Sequence, residues 1–417
     1  MDRMLRTIPW LLLAAAALPA EKVPAAKLVE MARAGAPGLE QTLRDTFGEE
    51  ALRKGTAVLG EGTDFVWAVE SGRQPVLRID FGDPLPPRRV GALWIYQGSL
   101  RAGTAHKGEW FVGGISIGGA NNVPAYPPES YPQPGVPEGK LTGPIEMESN
   151  VYPGMKANLW YYVPAQWDGV TPLAVQIWGD GQMYTKRMTS YRVLETLDNL
   201  HRAKRIPLTV NIFVQPGTVE GRSLRSKEYD TVNDTYARYL LEEILPEVGR
   251  SVKLRQDGYS RLFIGESSGG ICAFNAAWYR PEEFARVLSW IGSFSALQVS
   301  EKEPVGGAAY PILVRREPKR NIRVWLQDGA EDQENPRFGS WPLANLHLAN
   351  SLKLKGYDYH LSFGLGTHNQ MQGSAELAES LAWLWRDYDP AKTAQEFVQD
   401  AAEKEKPVWR VEKLNRN

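Results

Sequence analysis

The sequence predicts an α/β fold in which a mainly parallel central sheet is flanked by helices and preceded by a small β-sandwich-like domain. From Pro144 onward, apolar runs of strand length alternate with helix-length segments, which is typical of a parallel sheet with helices on both faces. In residues 55–119, shorter β-type runs follow one another between Gly and Pro turns. Within residues 261–275, an apolar strand runs into a glycine-rich turn and then a helix-compatible segment.

The first twenty residues have the pattern of a secretory signal peptide. Arg3 and Arg6 precede an apolar run at 8–18, which is too short to span a bilayer as a mature helix. Cleavage is expected after Ala20 or after Ala25, with a retained membrane anchor as the alternative. We therefore expect a periplasmic or secreted protein without stable membrane insertion after cleavage.

Composition narrows the class of function. The 417 residues are 43% hydrophobic and carry a formal net charge of -1, a balance that favours neither nucleic-acid binding nor disorder. Cys272 is the single cysteine, so no intrachain disulfide is possible. No spacing of His and Cys typical of a metal site is present, and we expect neither a metal nor a cofactor. The expected partner is a small-molecule or oligosaccharide ester, and the oligomeric state is left open.

The chain divides into consecutive segments after the signal peptide. Residues 27–120 are predicted as a helix followed by the β-sandwich-like domain, and residues 121–143 as a linker rich in proline. Residues 144–390 are predicted as the catalytic domain and 391–417 as a C-terminal tail. In the first domain His106 is interpreted as a solvated turn residue.

Apolar runs and helical periodicity place the elements of the second domain in order. Strands are predicted at 158–163, 173–178, 208–214, 262–264, 287–291, 322–326 and 359–363. Helices are predicted at 189–202, 229–248, 344–355 and 375–385. In such sheets the working residues gather at the carboxyl ends of the strands.

The candidate nucleophile is Ser267. Gly265 and Gly269 bracket it in the G-x-S-x-G spacing, which holds a serine at the apex of a tight turn between a strand and a helix. The following helix presents backbone N–H groups and a positive dipole to a developing oxyanion. Ser268 is the competing serine, but its position normally contributes a backbone N–H.

His368 is the candidate base that takes the proton of the serine. It lies in the loop after the last predicted strand, downstream of the serine in the chain order of this class of hydrolase. His201 and His347 fall in helical patterns and His360 alternates within a strand, so these three are interpreted as structural or surface residues.

The third member is predicted to be Asp332. A carboxylate after the preceding strand is needed to hold the imidazole tautomer and to stabilise its cation. Asp332 follows a full loop turn and is able to fold back toward the histidine, while Asp328 and Glu334 remain alternatives.

The oxyanion hole requires two backbone donors. One is expected to be the N–H of Ser268. The other is expected from Gln182 or Gly181 in the small-residue turn that follows the strand at 173–178.

With these residues in place, the chain resembles the esterase D branch of the α/β-hydrolases, which includes enterochelin esterases and carbohydrate esterases. The resemblance covers about residues 144–388 and is carried by LWYYVP at 159–164, IWGDGQ at 177–182, RSKEY at 225–229, EEILP at 242–246, IGESSGG at 264–270 and GTHN at 366–369. It implies an α/β-hydrolase fold, a serine-hydrolase mechanism, Gln182 and Ser268 as oxyanion donors, and Asp332 as the acid. Glu266, before the nucleophile, departs from the family pattern.

The expected function is that of a secreted serine esterase acting on a carbohydrate-linked acyl group, feruloyl or acetyl. The first alternative is an enterochelin-type siderophore esterase. A second alternative, of a different class, is a non-catalytic glycan-binding protein on a hydrolase scaffold.

Overall fold

The computed structural model describes residues 23–118, 121–299 and 304–405. The predicted signal peptide, with both of its arginines, and the end of the predicted tail, residues 406–417, lie outside the described residues. Among the residues that are described, no helix combines the length and the apolar content needed to cross a bilayer.

The N-terminal domain, residues 25–125, contains two helices and two small antiparallel sheets. Its helices are α1 (Ala25–Ala34) and α2 (Leu39–Lys54), and its strands are β1 (Ala57–Glu61), β2 (Asp64–Glu70), β3 (Val76–Ile79), β4 (Arg88–Val90), β5 (Leu93–Ser99), β6 (Thr104–Val112), β7 (Ile115–Ser116) and β8 (Asn121–Ala125). One sheet has the order β1-β2-β5-β4, and in the other β6 pairs with β3, β7 and β8.

Strand β2 explains how these layers hold together, because it is buried on both faces. Val66 and Ala68 pack toward the core formed with α1 and α2. The alternate side chains Phe65, Trp67 and Val69 pack into a second core with the other sheet. Successive side chains of a strand point to opposite faces of the sheet. The sheet that contains β2 therefore lies between the two helices and the second sheet.

The second part of the chain is built on a ten-stranded sheet. Its strands are β9 (Lys140–Ser149), β10 (Met155–Val163), β11 (Ala174–Gly179), β12 (Thr209–Val214), β13 (Thr218–Val219), β14 (Arg222–Ser223), β15 (Arg261–Glu266), β16 (Arg286–Trp290), β17 (Arg323–Gly329) and β20 (Asp358–Gly364); the short hairpin β18 (Glu334–Asn335) and β19 (Gly339–Ser340) stands apart. The path β12-β11-β15-β16-β17-β20 is parallel throughout, whereas β9, β10, β13 and β14 add antiparallel pairs at one side. The predicted mainly parallel sheet is confirmed.

Helices cover both faces of this sheet. They are α3 (Val193–Arg202), α4 (Arg225–Tyr229), α5 (Thr235–Tyr239), α6 (Leu245–Gly249), α7 (Ser268–Tyr279), α8 (Tyr310–Arg316), α9 (Trp341–Leu354), α10 (Met371–Ala375), α11 (Leu377–Leu384) and α12 (Ala401–Lys404), with a π-turn at Leu240–Ile244 and a 3-10 turn at Gly181–Tyr184. Two separate apolar cores, one on each face, hold the layers together.

Two segments differ from their predicted description. The residues predicted to start the linker form β8, and Val123 pairs with His106 on β6, so the second sheet of the N-terminal domain extends past residue 120. In the predicted tail, Phe397 is buried against Tyr259 and accepts a hydrogen bond from Lys319 at its carbonyl, so this part packs on the second domain. The remaining domain boundaries stay predictions.

His106 is not a solvated turn residue, and that interpretation was wrong. Its side chain is fully buried on β6. Nδ1 lies 2.6 Å from Oδ2 of Asp80 and Nε2 lies 2.8 Å from the carbonyl oxygen of Arg101. The sequence did not reveal this pairing because Asp80 lies 26 positions earlier, in the turn after another strand.

Candidate active site

Ser267 stands at a strained turn between β15 and α7. Its φ of 57° and ψ of -120° lie in a region that L-residues rarely adopt. The turn is possible because Gly265 and Gly269 lie in contact: a Cβ on Gly265 would sit 2.0 Å from the carbonyl oxygen of Gly269. The backbone N–H of Ser267 donates to the carbonyl of Trp290 on β16 at 2.9 Å, which ties the turn to the sheet.

The structure brings the three predicted side chains into one hydrogen-bonded line. Nε2 of His368 lies 2.8 Å from Oγ of Ser267, and Nδ1 lies 2.5 Å from Oδ1 of Asp332. His368 follows β20, Asp332 follows β17 and Ser267 follows β15, so all three stand at the carboxyl edge of the parallel strands. The arrangement can transfer the serine proton to a histidine whose tautomer is fixed by a carboxylate.

The two alternative acids lie elsewhere. Glu334 accepts a hydrogen bond from Ser340 across the β18–β19 hairpin. Asp328 is completely buried at the end of β17 and lies in hydrogen-bond contact with Asp332 rather than with His368.

The pKa values of the neighbouring Asp328 and Asp332 carboxyl groups are shifted in opposite directions. Burial, together with the adjacent Asp332 carboxylate, raises the pKa of Asp328 well above its usual value. Burial alone would raise the pKa of Asp332 as well, but hydrogen bonds from His368 and Asp328 outweigh it and leave that pKa below its usual value. Asp332 is therefore the more acidic member of the pair, and Asp328 is the member that keeps a proton more readily.

The predicted oxyanion donors follow two neighbouring strands, β11 and β15, at the same edge of the sheet. Ser268 is the first residue of α7 and Gln182 lies in the 3-10 turn after β11, positions whose backbone N–H groups have no partner within their own helix. Gly181 packs so closely that a Cβ would sit 2.2 Å from the carbonyl carbon of Phe213. The role of these donors stays a prediction.

The turn that leads to Gln182 is held by an ion pair that the sequence did not indicate. Arg225 donates from Nε and Nη2 to the two carboxylate oxygens of Asp180, at 2.7 and 2.8 Å. Asp180 has a φ of 54°, and its backbone N–H donates to the hydroxyl of Tyr229 at 3.0 Å. Arg225 and Tyr229 of the RSKEY segment thus both contact Asp180, from which they lie 45 and 49 positions away.

Ser293 is a further neighbour of the nucleophile that sequence reasoning missed. Its Oγ lies 3.2 Å from Oγ of Ser267 and accepts a hydrogen bond from Nε1 of Trp341 at 3.0 Å. The ring of Trp341 also meets that of His368 edge-on, with centroids 6.0 Å apart. No local pattern in the sequence marks either residue.

Glu266 points into a hydrogen-bonded pocket next to the site. Tyr191 donates its hydroxyl to Oε2 of Glu266 at 2.9 Å. Burial raises the pKa of this carboxyl, while the tyrosine hydrogen bond and the charge of His368 act in the opposite direction.

The other histidines lie outside this arrangement. His201 is buried on α3 beside Thr209, where burial lowers its pKa to about 3, and His360 stacks on Trp325 at 3.9 Å. His347 lies on α9.

Comparisons with known proteins agree with this fold. Residues 151–384 match a family described as putative esterase. The chain is similar to the iron(III) enterobactin esterase of Dickeya dadantii (strain 3937), with 22% identity over 262 residues, covering 57% of this chain and 54% of that protein. The chain thus spans about half the length of this curated relative.

Two solved structures have the same fold as most of the chain. The enterobactin esterase of Shigella flexneri, solved in the presence of enterobactin, matches with a TM-score of 0.51 and 16% identity over 78% of this chain and 93% of that chain. The ferric enterobactin esterase of Salmonella typhimurium matches with a TM-score of 0.52 and 15% identity over the same shares. These likenesses confirm the predicted α/β-hydrolase fold.

Proposed function

Because the chain belongs to the putative-esterase family, we propose that it is a serine esterase that hydrolyses carboxylic esters through Ser267, His368 and Asp332. The observation that carries this proposal is the hydrogen-bonded line from Oγ of Ser267 through the two nitrogens of His368 to Oδ1 of Asp332. The strained turn that presents the serine supports the same role.

In the first step, Oγ of Ser267 attacks the ester carbonyl while its proton moves to Nε2 of His368. Asp332 keeps the proton on Nδ1 and stabilises the resulting imidazolium. The backbone N–H groups of Gln182 and Ser268 hold the oxyanion of the tetrahedral intermediate. His368 then gives its proton to the leaving alkoxide, and an acyl-serine remains.

In the second step, water attacks the acyl-serine. His368 accepts a proton from the water, and the second tetrahedral intermediate collapses with return of that proton to Oγ of Ser267. The products are the free acid and the alcohol. No further reactant is required.

A carbohydrate-linked feruloyl or acetyl ester is the first candidate substrate. Glu266 supports a neutral substrate, because its carboxyl group lies next to the nucleophile and interacts electrostatically with His368. A siderophore trilactone is the second candidate, supported by the similarity to the Dickeya dadantii enterobactin esterase.

A direct comparison of rates separates these candidates. The purified protein is assayed with feruloylated and acetylated xylo-oligosaccharides and with a catecholate trilactone, each with the Ser267→Ala variant as control. Turnover of the oligosaccharide esters that Ser267→Ala lacks supports the first candidate, and turnover of only the trilactone supports the second. Ester hydrolysis that persists in Ser267→Ala would contradict the proposed mechanism.

We also propose export of the protein to the periplasm or the exterior after cleavage of residues 1–20. Val23 packs against the core that contains Leu28 and Leu43, which supports cleavage after Ala20 rather than after Ala25. N-terminal sequencing of the exported protein tests this, and a retained N-terminus would contradict it.

A further inference from the structure

Shortly after His368, the chain forms hydrogen bonds with the N-terminal domain. Gln372, on α10, is 4% exposed, and its Oε1 accepts hydrogen bonds from Oγ1 of Thr104 at 3.0 Å and from the backbone N–H of Ala105 at 2.7 Å. Both donors belong to β6. The end of the histidine loop is therefore fixed by a strand more than 260 positions earlier in the chain.

A second contact lies immediately before the histidine. Nδ2 of Asn122, on β8, donates to Oγ1 of Thr367 at 2.9 Å. Asn369, on the other side of His368, donates from Nδ2 to the same oxygen at 2.7 Å. The hydroxyl of Thr367 thus links β8 to the two residues that flank His368, which are Thr367 itself and Asn369.

A third contact reaches the loop that carries the acid. Lys107, on β6, forms an ion pair with Glu331, the residue before Asp332. The backbone N–H of Glu331 also donates to the carbonyl of Gly366 at 3.1 Å, so the acid loop and the histidine loop are bonded to each other. The lysine side chain is 14% exposed and the glutamate side chain 38%, so solvent screens part of this interaction.

The strand that provides these contacts is itself held by hydrogen bonds to Asp80. Asp80 accepts from the backbone N–H of Lys107 at 2.8 Å through Oδ1, and its own N–H donates to the carbonyl of Lys107 at 2.8 Å. Its Oδ2 lies 2.6 Å from Nδ1 of His106 in the same buried cluster. Asp80, which also contacts the histidine that the sequence placed in a solvated turn, therefore fixes the backbone of the lysine that reaches the acid loop.

We propose that the N-terminal domain is a positioning element of the active site, in which β6 and β8 hold the loops of Asp332 and His368 in register with Ser267. The proposal rests on the proposed function and extends it to a second domain. A misplacement of catalytic groups by about 1 Å is enough to cost on the order of 100-fold in rate, and loops on their own are less precise supports than strands. The contacts lie outside the reacting atoms, so their loss should lower the rate of acylation more than it changes substrate binding.

The test uses the rate at which Ser267 reacts with a fluorophosphonate, together with kcat and KM for p-nitrophenyl acetate, in the full chain. Lys107→Met and Asn122→Ala should each slow labelling and lower kcat by about 3- to 10-fold with KM nearly unchanged. The double charge reversal Lys107→Glu with Glu331→Lys should recover most of the rate lost in Lys107→Met. If the ion pair had a purely structural role, Lys107→Met would lower the unfolding temperature, and the double charge reversal would not restore kcat.

Arg44→Met is the matched control. Arg44 is paired with Glu40, Glu49 and Glu70 in the same domain, and none of these partners lies in the two loops. Its removal should leave the labelling rate within about 2-fold of the wild-type rate.

The outcomes separate the two proposals. Wild-type protein that is labelled at Ser267, with Lys107→Met and Asn122→Ala labelled at the same rate, would overturn the positioning role alone. A charge reversal that is no faster than Lys107→Met would also overturn it. Wild-type protein that is not labelled at all would overturn the proposed function on which the inference rests.

Discussion

Replacing Asp328 with asparagine should preserve catalysis and change how stability depends on pH. Asp328 and Asp332 are both buried and in contact, and Asp332 must be ionised to hold His368. Burial and the adjacent Asp332 carboxylate both disfavour a second negative charge at this place, and they raise the pKa of Asp328 well above its usual value. We therefore expect Asp328 to hold a proton at neutral pH and to donate it to the carboxylate of Asp332.

In Asp328→Asn, the amide has the shape of the acid and donates N–H in place of O–H. The pH profile of kcat/KM should keep its position, and its maximum should stay within about 3-fold of wild type. Asp328→Ala instead leaves an oxygen of Asp332 buried without a donor, at a cost of about 1–3 kcal/mol, so kcat should fall by roughly 10- to 100-fold.

The sign of the stability effect follows from the raised pKa of Asp328. Above about pH 4 the unfolded chain releases this proton while the folded protein retains it, so folding loses up to about 1.4 kcal/mol of stability per pH unit until the raised folded pKa is reached. Asparagine has no such proton. The unfolding temperature of Asp328→Asn minus that of wild type should therefore increase as the pH rises from 5 to 7. Differential scanning fluorimetry measures this difference.

Two results would refute this reasoning. If Asp328 is ionised in the folded protein, its removal takes a negative charge from the surroundings of His368, and the acid limb of the Asp328→Asn profile moves to lower pH. Equally, an unfolding-temperature difference that is constant from pH 5 to 7 would show that Asp328 does not retain its proton on folding.

Three further substitutions test the surroundings of the nucleophile. Glu266→Gln should raise kcat/KM for an acidic ester relative to a neutral one by about 5- to 30-fold at pH 8, because repulsion between a carboxylate beside the nucleophile and a charged ester is worth about 1–2 kcal/mol; equal changes for both esters would contradict this. Ser293→Ala leaves the buried indole N–H of Trp341 without its acceptor, so the free energy of unfolding should fall by about 1–3 kcal/mol, measured by urea denaturation, while kcat changes less than about 3-fold. Arg225→Met frees the turn at Asp180, and kcat should fall by about 10- to 100-fold in steady-state assays with a smaller change in KM, whereas an unchanged kcat would show that the ion pair does not fix that turn.

The central sheet could be predicted because parallel strands are buried on both faces. Strands β11, β12 and β16 contain only buried positions, so apolar residues predominate in each, with single polar residues such as Gln176, Asn211 and Ser289 between them. The nucleophile turn was visible for a related reason, since close packing of its backbone requires glycine at Gly265.

Two elements were missed because their local sequence is ambiguous. Strand β9 is an edge strand with mostly exposed positions, and it lacks the apolar run that marks the inner strands. The helix predicted at 229–248 is broken, since Asn233 accepts a hydrogen bond from the backbone N–H of Thr235 and begins a new helix there.

The surroundings of the site could not be predicted, because they depend on contacts between distant parts of the chain. The order serine, acid, histidine and the position of each after a strand indicated Ser267, Asp332 and His368. Nothing local pairs Lys107 with Glu331, which lie 224 positions apart, or Asn122 with Thr367, which lie 245 positions apart. Such contacts arise only when the sheet and the N-terminal domain are assembled.

The most direct test of the central claim is intact-mass spectrometry of the purified protein after incubation with a fluorophosphonate, followed by peptide mapping. An activated serine forms a covalent adduct, whereas an ordinary surface serine does not. A single adduct on Ser267 that His368→Ala abolishes is the predicted result. A folded protein with no adduct, or with the adduct on Ser268, would contradict the assignment and favour a glycan-binding protein on a hydrolase scaffold or a different nucleophile.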